Sequence, residues 1–255
     1  MATTPAASDL PPSPERKLLA PLWHTIVFLL FISAYAYYGR TTVSRIEGRH
    51  LSSNLTLYLL MILLELLLVS YVWFLGVKPA GGSFGAVIGG KWSSAEDVLR
   101  DIGVAFLFWL VVIVVLVGLQ FALGKSPQTS KAVALLAPSS LREAIVWVIL
   151  SVTAGFCEEF VFRGYLQKQF LALTGSGAAA VALQAVFFGI AHSYQGVKSI
   201  VTITVYGALF GILALYRKSL RPGMIQHATQ DSVAGLAFGL LKHLGKVPAV
   251  LFWPS

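Results

Sequence analysis

The sequence predicts an all-α protein, a polytopic membrane helix bundle of about seven to eight transmembrane helices, and three observations carry that prediction. Of its 255 residues 56% are hydrophobic and only 12% charged, whereas an ordinary soluble domain carries roughly 25% charge. The apolar residues are bunched into runs of about 17 to 23, the length that crosses about 30 Å of hydrocarbon. No period of 20 to 50 residues recurs, which sets solenoid architectures aside.

The net charge of +8 comes from 19 Lys and Arg spread through the short segments between the runs. That distribution suits headgroup contacts and topology signals, so the expected partner is the lipid bilayer and not a nucleic acid. Cys157 is the single cysteine, which rules out an intrachain disulfide framework and any Cys-rich metal site.

Residues 1–17, rich in Pro, Ser, Thr and Ala, bury too little to fold and are expected as a disordered tail. Residues 18–255 then form one integral-membrane domain. The first run, Pro21 to Gly39, ends near Ala34-Tyr35-Ala36, which looks like a signal-peptide cleavage site. The run is nevertheless long enough to span, and more spans follow it. Six further runs are expected at Leu55 to Leu75, Ile102 to Leu123, Ala144 to Leu171, Ala178 to Tyr194, Ile200 to Tyr216 and Met224 to Leu241, with a short Val247 to Trp253 tail as a partial eighth. Ser94 followed by Glu96 and Asp97 suits a helix N-terminus, and Ser140-Leu141-Arg142-Glu143 is a capping box just after Pro138. For seven spans, Lys and Arg divide nine to each side once Arg163 is set aside as intramembrane, so charge does not assign orientation.

A charged group in hydrocarbon costs roughly 2.5 to 3.5 kcal/mol on insertion scales, so each one inside a run needs a reason. The informative set is Glu65, Glu158, Glu159, Arg163, His192, His227 and Asp231. Arg163 lies four residues after Glu159, the favourable order for an ion pair on one helix face. Glu158 has Phe162 at that offset and is left free for chemistry. The expected turn is Thr174-Gly175-Ser176-Gly177; Glu158 is 17 residues before Gly175 and His192 is 17 after it, which puts the two at equal depth in a hairpin. A Glu beside a His in a water-poor bundle can take a proton from water and pass it to a leaving group. Phe188, four residues before His192, shares its face.

His227 and Asp231 stand at i and i+4, which suits a helix-stabilising pair, a metal half-site or a carboxylate that fixes an imidazole tautomer. Gly207 and Gly211 form a GxxxG packing pattern. Glu65, alone in a Leu-rich run, either faces the bundle interior, behind the reacting residues or along a substrate groove, or pairs with an unidentified donor, and the last reading is the plainer one. His24, His50 and His243 are expected as interfacial anchors.

Glu158-Glu159-Phe160-Val161-Phe162-Arg163, then Phe188 to His192, then His227 to Asp231 resemble, in order and spacing, the EExxxR, FxxxH and HxxxN-like motifs of the CAAX protease and bacteriocin-processing family, also called the Abi family. The resemblance covers about residues 140–242, which would be the catalytic core. It implies an all-helical, multi-pass intramembrane endopeptidase, in the cell membrane if the source is prokaryotic. Its substrates would be peptides or proteins, among them CAAX-type C-terminal tails or other membrane-associated peptides. By the same resemblance Glu158 and His192 activate water, His227 and Asp231 stabilise the oxyanion opposite, and Glu159 and Arg163 form the structural pair. Asp231 departs from the usual Asn: an ionised Asp accepts but cannot donate to an oxyanion.

No cofactor is required by this reading. The set Glu158, His192, His227 and Asp231 is also compatible with a catalytic zinc or other divalent metal that keeps one open position, although its ligands would have to converge from three helices. Two other classes of function fit the composition: a non-catalytic membrane scaffold or bacteriocin self-immunity protein of the same family, and a transporter that relays protons.

Overall fold

The computed structural model describes residues 17–46, 53–124 and 135–244. The expected tail over residues 1–17, apart from Lys17, the expected partial helix Val247 to Trp253, and His50 lie outside the described residues. Among the described residues there are helices and no strand. We label them α1 (Leu22–Ile46), α2 (Leu55–Val77), α3 (Phe84–Ile88), α4 (Ala95–Leu123), α5 (Leu141–Thr174), α6 (Gly177–Ala191), α7 (Val197–Arg217) and α8 (Arg221–His243). The architecture is an all-α membrane helix bundle, and the chain is an integral membrane protein.

Helix starts follow the side chains at their N-termini. Ser94 accepts a hydrogen bond from the Asp97 amide, Ser140 from Glu143 and Ser176 from Ala179, so each supplies an acceptor to an otherwise orphaned N–H. Gly175 ends α5 at φ 69°, a left-handed turn residue, and Ser176 opens α6 directly. The capping box at Ser140 does more than start a helix. Glu143 accepts from Ser139 at 2.7 Å and from the Asn54 amide at 2.9 Å, which ties the beginnings of α5 and α2 together.

Among the described residues, five helices are long and apolar enough to cross a membrane: α1 over Leu22–Thr41, α2, α4, α5 and α7. The expected fifth and seventh runs differ from that norm. Helix α6 has 15 residues, short of a full span, because His192 turns the chain at its end. Helix α8 carries Gln226, His227, Gln230 and Asp231 on a buried face, so its composition is that of a helix sheltered by its neighbours.

Helix α5 is the hub. A larger share of it is buried than of α2 or α4, whose outer faces carry exposed Leu, Val and Phe suited to lipid. Since lipid tails are as apolar as any core, helices in a membrane associate through close packing and polar contacts. Both are visible here. A Cβ at Gly155 of α5 would stand 2.6 Å from the Ala228 amide nitrogen of α8, so only glycine permits that approach. The Gly207–Gly211 seam of α7 lies against α6, and its bared carbonyls accept from Gln184 at 2.9 Å and from Gln167 at 2.9 Å.

His24 corrects an expectation. It is fully buried at the α1–α5 contact and is not an interfacial anchor: Nδ1 contacts the Tyr165 hydroxyl at 2.8 Å, and the ring stacks on Tyr71 at 4.3 Å. Gln169 of α5 completes that junction through Thr25 and the Leu19 and Ala20 backbone. His243, at the end of α8, is exposed.

Candidate active site

The middle of α5 changes helical type where the paired acids begin: Glu159–Leu166 is a π-helical turn, wider than the α-helix on either side. Such turns re-aim side chains and recur at functional sites. All eight of its residues are buried, and Glu158 stands at its entrance.

Within this turn Glu159 and Arg163 form a sealed pair, with Arg163 Nη1 donating to Glu159 Oε1 at 2.9 Å. The guanidinium also donates to the Gly207 carbonyl at 3.3 Å and lies over the Phe188 ring at 4.2 Å. Glu159 Oε1 has a second partner that spacing alone did not reveal. His227 Nδ1 lies 3.1 Å away, and since a carboxylate oxygen paired with arginine accepts, Nδ1 carries the proton and His227 Nε2 is directed elsewhere. It faces Glu158 Oε2 at 3.8 Å and Asp231 Oδ2 at 3.6 Å.

His192 is oriented in the same way by a different device. It follows the last residue of α6 at φ −95° and ψ 15°, and its Nδ1 lies 2.9 Å from the Phe188 carbonyl. A carbonyl only accepts, so Nδ1 holds the hydrogen and the neutral ring presents the Nε2 lone pair. That lone pair faces Glu158 Oε1 at 3.9 Å. Phe188 packs under the imidazole, with ring centroids 4.8 Å apart.

Exposure divides the cluster into two layers. The side chains of Glu158, His192 and Asp231 are 13, 12 and 12% exposed, whereas Glu159, Arg163 and His227 are 1, 0 and 1% exposed. The first three reach the accessible edge of the site, Glu159 and Arg163 are sealed beneath them, and His227 lies just under that edge with Nε2 directed towards Glu158 and Asp231. Helices α5, α6 and α8 therefore bring together all six residues singled out by the motifs. Among the described residues, no group of three or more His, Cys, Asp or Glu side chains is arranged to hold a metal ion.

Several neighbours of the site were not legible in the sequence. Glu65 of α2, for which the sequence left an interior and a paired reading open, has its Oε2 buried. Tyr194, just past α6, sets its ring 6.1 Å from that of His192. Tyr206 of α7 sets its ring edge-on to His227 at 5.8 Å. Farther along α8, Asp101 of α4 is buried between Arg217 at 3.2 Å, Arg221 at 3.1 Å and the Trp92 indole at 2.8 Å, and so fixes the end of α8 nearest His227. For Tyr206 no sequence signal exists beyond an aromatic in an apolar run.

Three helices of the membrane bundle thus bring a largely buried cluster of carboxylates and imidazoles together, and the class this defines is that of helical membrane proteins with ionisable groups gathered among their helices. Residues 139–233 match the family model described as Type II CAAX prenyl endopeptidase Rce1-like, in agreement with the resemblance carried by the motifs. The matched stretch runs from the cap of α5 into α8 and contains all three motifs, and at the level of the family it points to a CAAX-type intramembrane protease. No curated protein and no solved structure matches the chain.

Proposed function

We propose that the chain is a multi-pass intramembrane endopeptidase that hydrolyses a peptide bond with a water activated by Glu158 and His192. The observation that carries this reading is the convergence of the His192 Nε2 lone pair on Glu158 Oε1 at 3.9 Å. Two acceptors at that separation do not hydrogen-bond each other, but one water can donate to both. In the reaction the water oxygen attacks the scissile carbonyl carbon while its proton passes to Glu158. Glu158 then returns that proton to the departing amine nitrogen as the C–N bond breaks. His227 and Asp231, on the opposite side of Glu158, stabilise the oxyanion through the Nε2–H of His227 when that nitrogen is protonated. Asp231 acts there by holding the imidazole, since as an ionised carboxylate it cannot donate.

The substrate class we propose is the prenylated CAAX-type C-terminal tail or a comparable membrane-associated peptide, and the membrane is the cell membrane if the source is prokaryotic. The mechanism requires no cofactor. The test is release of the C-terminal tripeptide from a prenylated CAAX peptide by the purified protein, read by mass spectrometry beside the unprenylated peptide. Cleavage of the prenylated peptide alone supports the substrate class, and cleavage of neither removes it.

A further inference from the structure

His192 stands where the helical ladder of α6 has ended. Its amide donates to the Gly189 carbonyl, three residues back, at 3.2 Å. Ser193–Gln195 then form one 3₁₀ turn, and Gly196, at φ 103°, leads into α7. A turn of that kind has poorer hydrogen-bond geometry than an α-helix. The imidazole is tied through Nδ1 to the Phe188 carbonyl at 2.9 Å, but the backbone that carries it needs support from outside α6.

Helix α1 supplies that support. Ser193 is buried, and its Oγ donates to the Ala36 carbonyl of α1 at 3.0 Å. A carbonyl oxygen has two lone pairs, so it can take this bond beside a helical one. Three residues on, a Cβ at Gly39 would stand 3.6 Å from the Tyr194 Cβ. Small residues at Ala36 and Gly39 let the two backbones come this close. Farther back on the same face of α1, at intervals of four residues, Ile32 and Phe28 are buried. On the other side of the turn α7 closes in: a Cβ at Gly189 would stand 2.7 Å from the Ile200 carbonyl oxygen, and Ser199 Oγ donates to the Gln195 carbonyl at 3.1 Å. The turn is thus held between α1 and α7, with the bond from Ser193 to Ala36 tying it to α1.

A buried hydroxyl that loses its acceptor is left unsatisfied, so this bond resists displacement of the turn. We propose that Ser193 is a positioning residue for His192: its hydroxyl, bonded to Ala36, fixes the turn that carries the imidazole and so sets the direction in which Nε2 faces Glu158. The ring is then aimed from two sides, by Phe188 of α6 through Nδ1 and by α1 through the adjoining backbone. This role rests on the hydrolase reading above. It gives α1, which lies outside the matched residues 139–233, a defined part in the site.

Steady-state kinetics on a cleavable peptide test the role with Ser193→Ala, Ser193→Thr, Gly39→Leu and the double variant of Ser193→Ala with Gly39→Leu, each shown by its melt to be folded. Ser193→Ala loses the donor without adding bulk, and kcat falls by about 10- to 10²-fold with KM unchanged, the size expected when a reacting group is misplaced. Thr keeps the hydroxyl, so Ser193→Thr retains kcat to within about threefold. Gly39→Leu pushes α1 off the turn from the other partner and lowers kcat in the same way. In the double variant the losses do not add, because the bond that Ser193→Ala removes is already broken. Should Gly39→Leu yield no folded protein, the smaller Gly39→Val takes its place. An Ala variant with kcat within about twofold of the wild type, a folded Thr variant as impaired as Ala, or losses that add in the double variant overturn the role of Ser193 alone. Absence of cleavage by the wild-type protein overturns the hydrolase reading and the positioning role with it.

Discussion

Gly155 of α5 and Ala228 of α8 are in backbone contact: a methyl group at position 155 would fall 2.6 Å from the Ala228 amide nitrogen and 3.0 Å from its Cα. This approach lies one turn from Glu159 on α5 and next to His227 on α8, so it sets the 3.1 Å separation of Glu159 and His227.

Gly155→Ala forces the two helices apart against backbone atoms that cannot rotate away. The expected cost is about 1–3 kcal/mol, as for other overpacked sites, with a lower Tm in detergent and a loss of activity larger than the stability change alone explains. Thermal melts and turnover of the variant check this. Wild-type values for both would show that the helix separation is not what positions His227.

The paired acids are expected to fail in different ways. Glu158→Gln removes the base and lowers the rate by about 10²- to 10⁴-fold, while the fold persists because its side chain sits at the accessible edge. Glu159→Gln takes a charged partner from both Arg163 and His227 in a sealed environment, where breaking a buried pair costs about 3–5 kcal/mol. The Tm values of the two variants, measured together, separate the roles. A folded Glu159→Gln protein without activity beside an active Glu158→Gln protein would reverse the assignment.

Asp231 holds His227 Nε2 from 3.6 Å. An Asn there keeps an acceptor oxygen for the ring and adds an amide donor, so Asp231→Asn is expected to keep kcat to within about tenfold. Asp231→Leu leaves the imidazole without that acceptor, and kcat is expected to fall by about 10²-fold. Equal kcat in the Leu variant and the wild type would remove Asp231 from the oxyanion side of the site.

A mechanism in which Glu158 and His192 alone activate water predicts full turnover after metal is stripped by a strong chelator, with no gain when zinc is returned. Stoichiometric metal whose removal abolishes turnover, and whose return restores it, would contradict this.

The helices were legible because apolar length and capping serines are local signals, and Ser94 and Ser140 cap where the pattern places them. Local arithmetic also reached the α5–α6 hairpin: a turn at Gly175 with equal offsets to Glu158 and His192 depends only on helical rise. Contacts between helices distant in sequence were not legible. His24 reads as an interfacial residue until Tyr165 is seen against it. The second partner of Glu159, His227, is hidden for the same reason. The π turn at Glu159–Leu166 is likewise silent in the sequence, since its residues would equally suit an α-helix.

The most direct measurement of the central claim is mass spectrometry of a peptide library incubated with the detergent-purified protein, with Glu158→Gln prepared in parallel and shown to melt at the wild-type temperature. The account predicts new peptide termini with the wild-type protein and their loss by at least about 10²-fold with the variant. The same termini at the same rate from both proteins would contradict it.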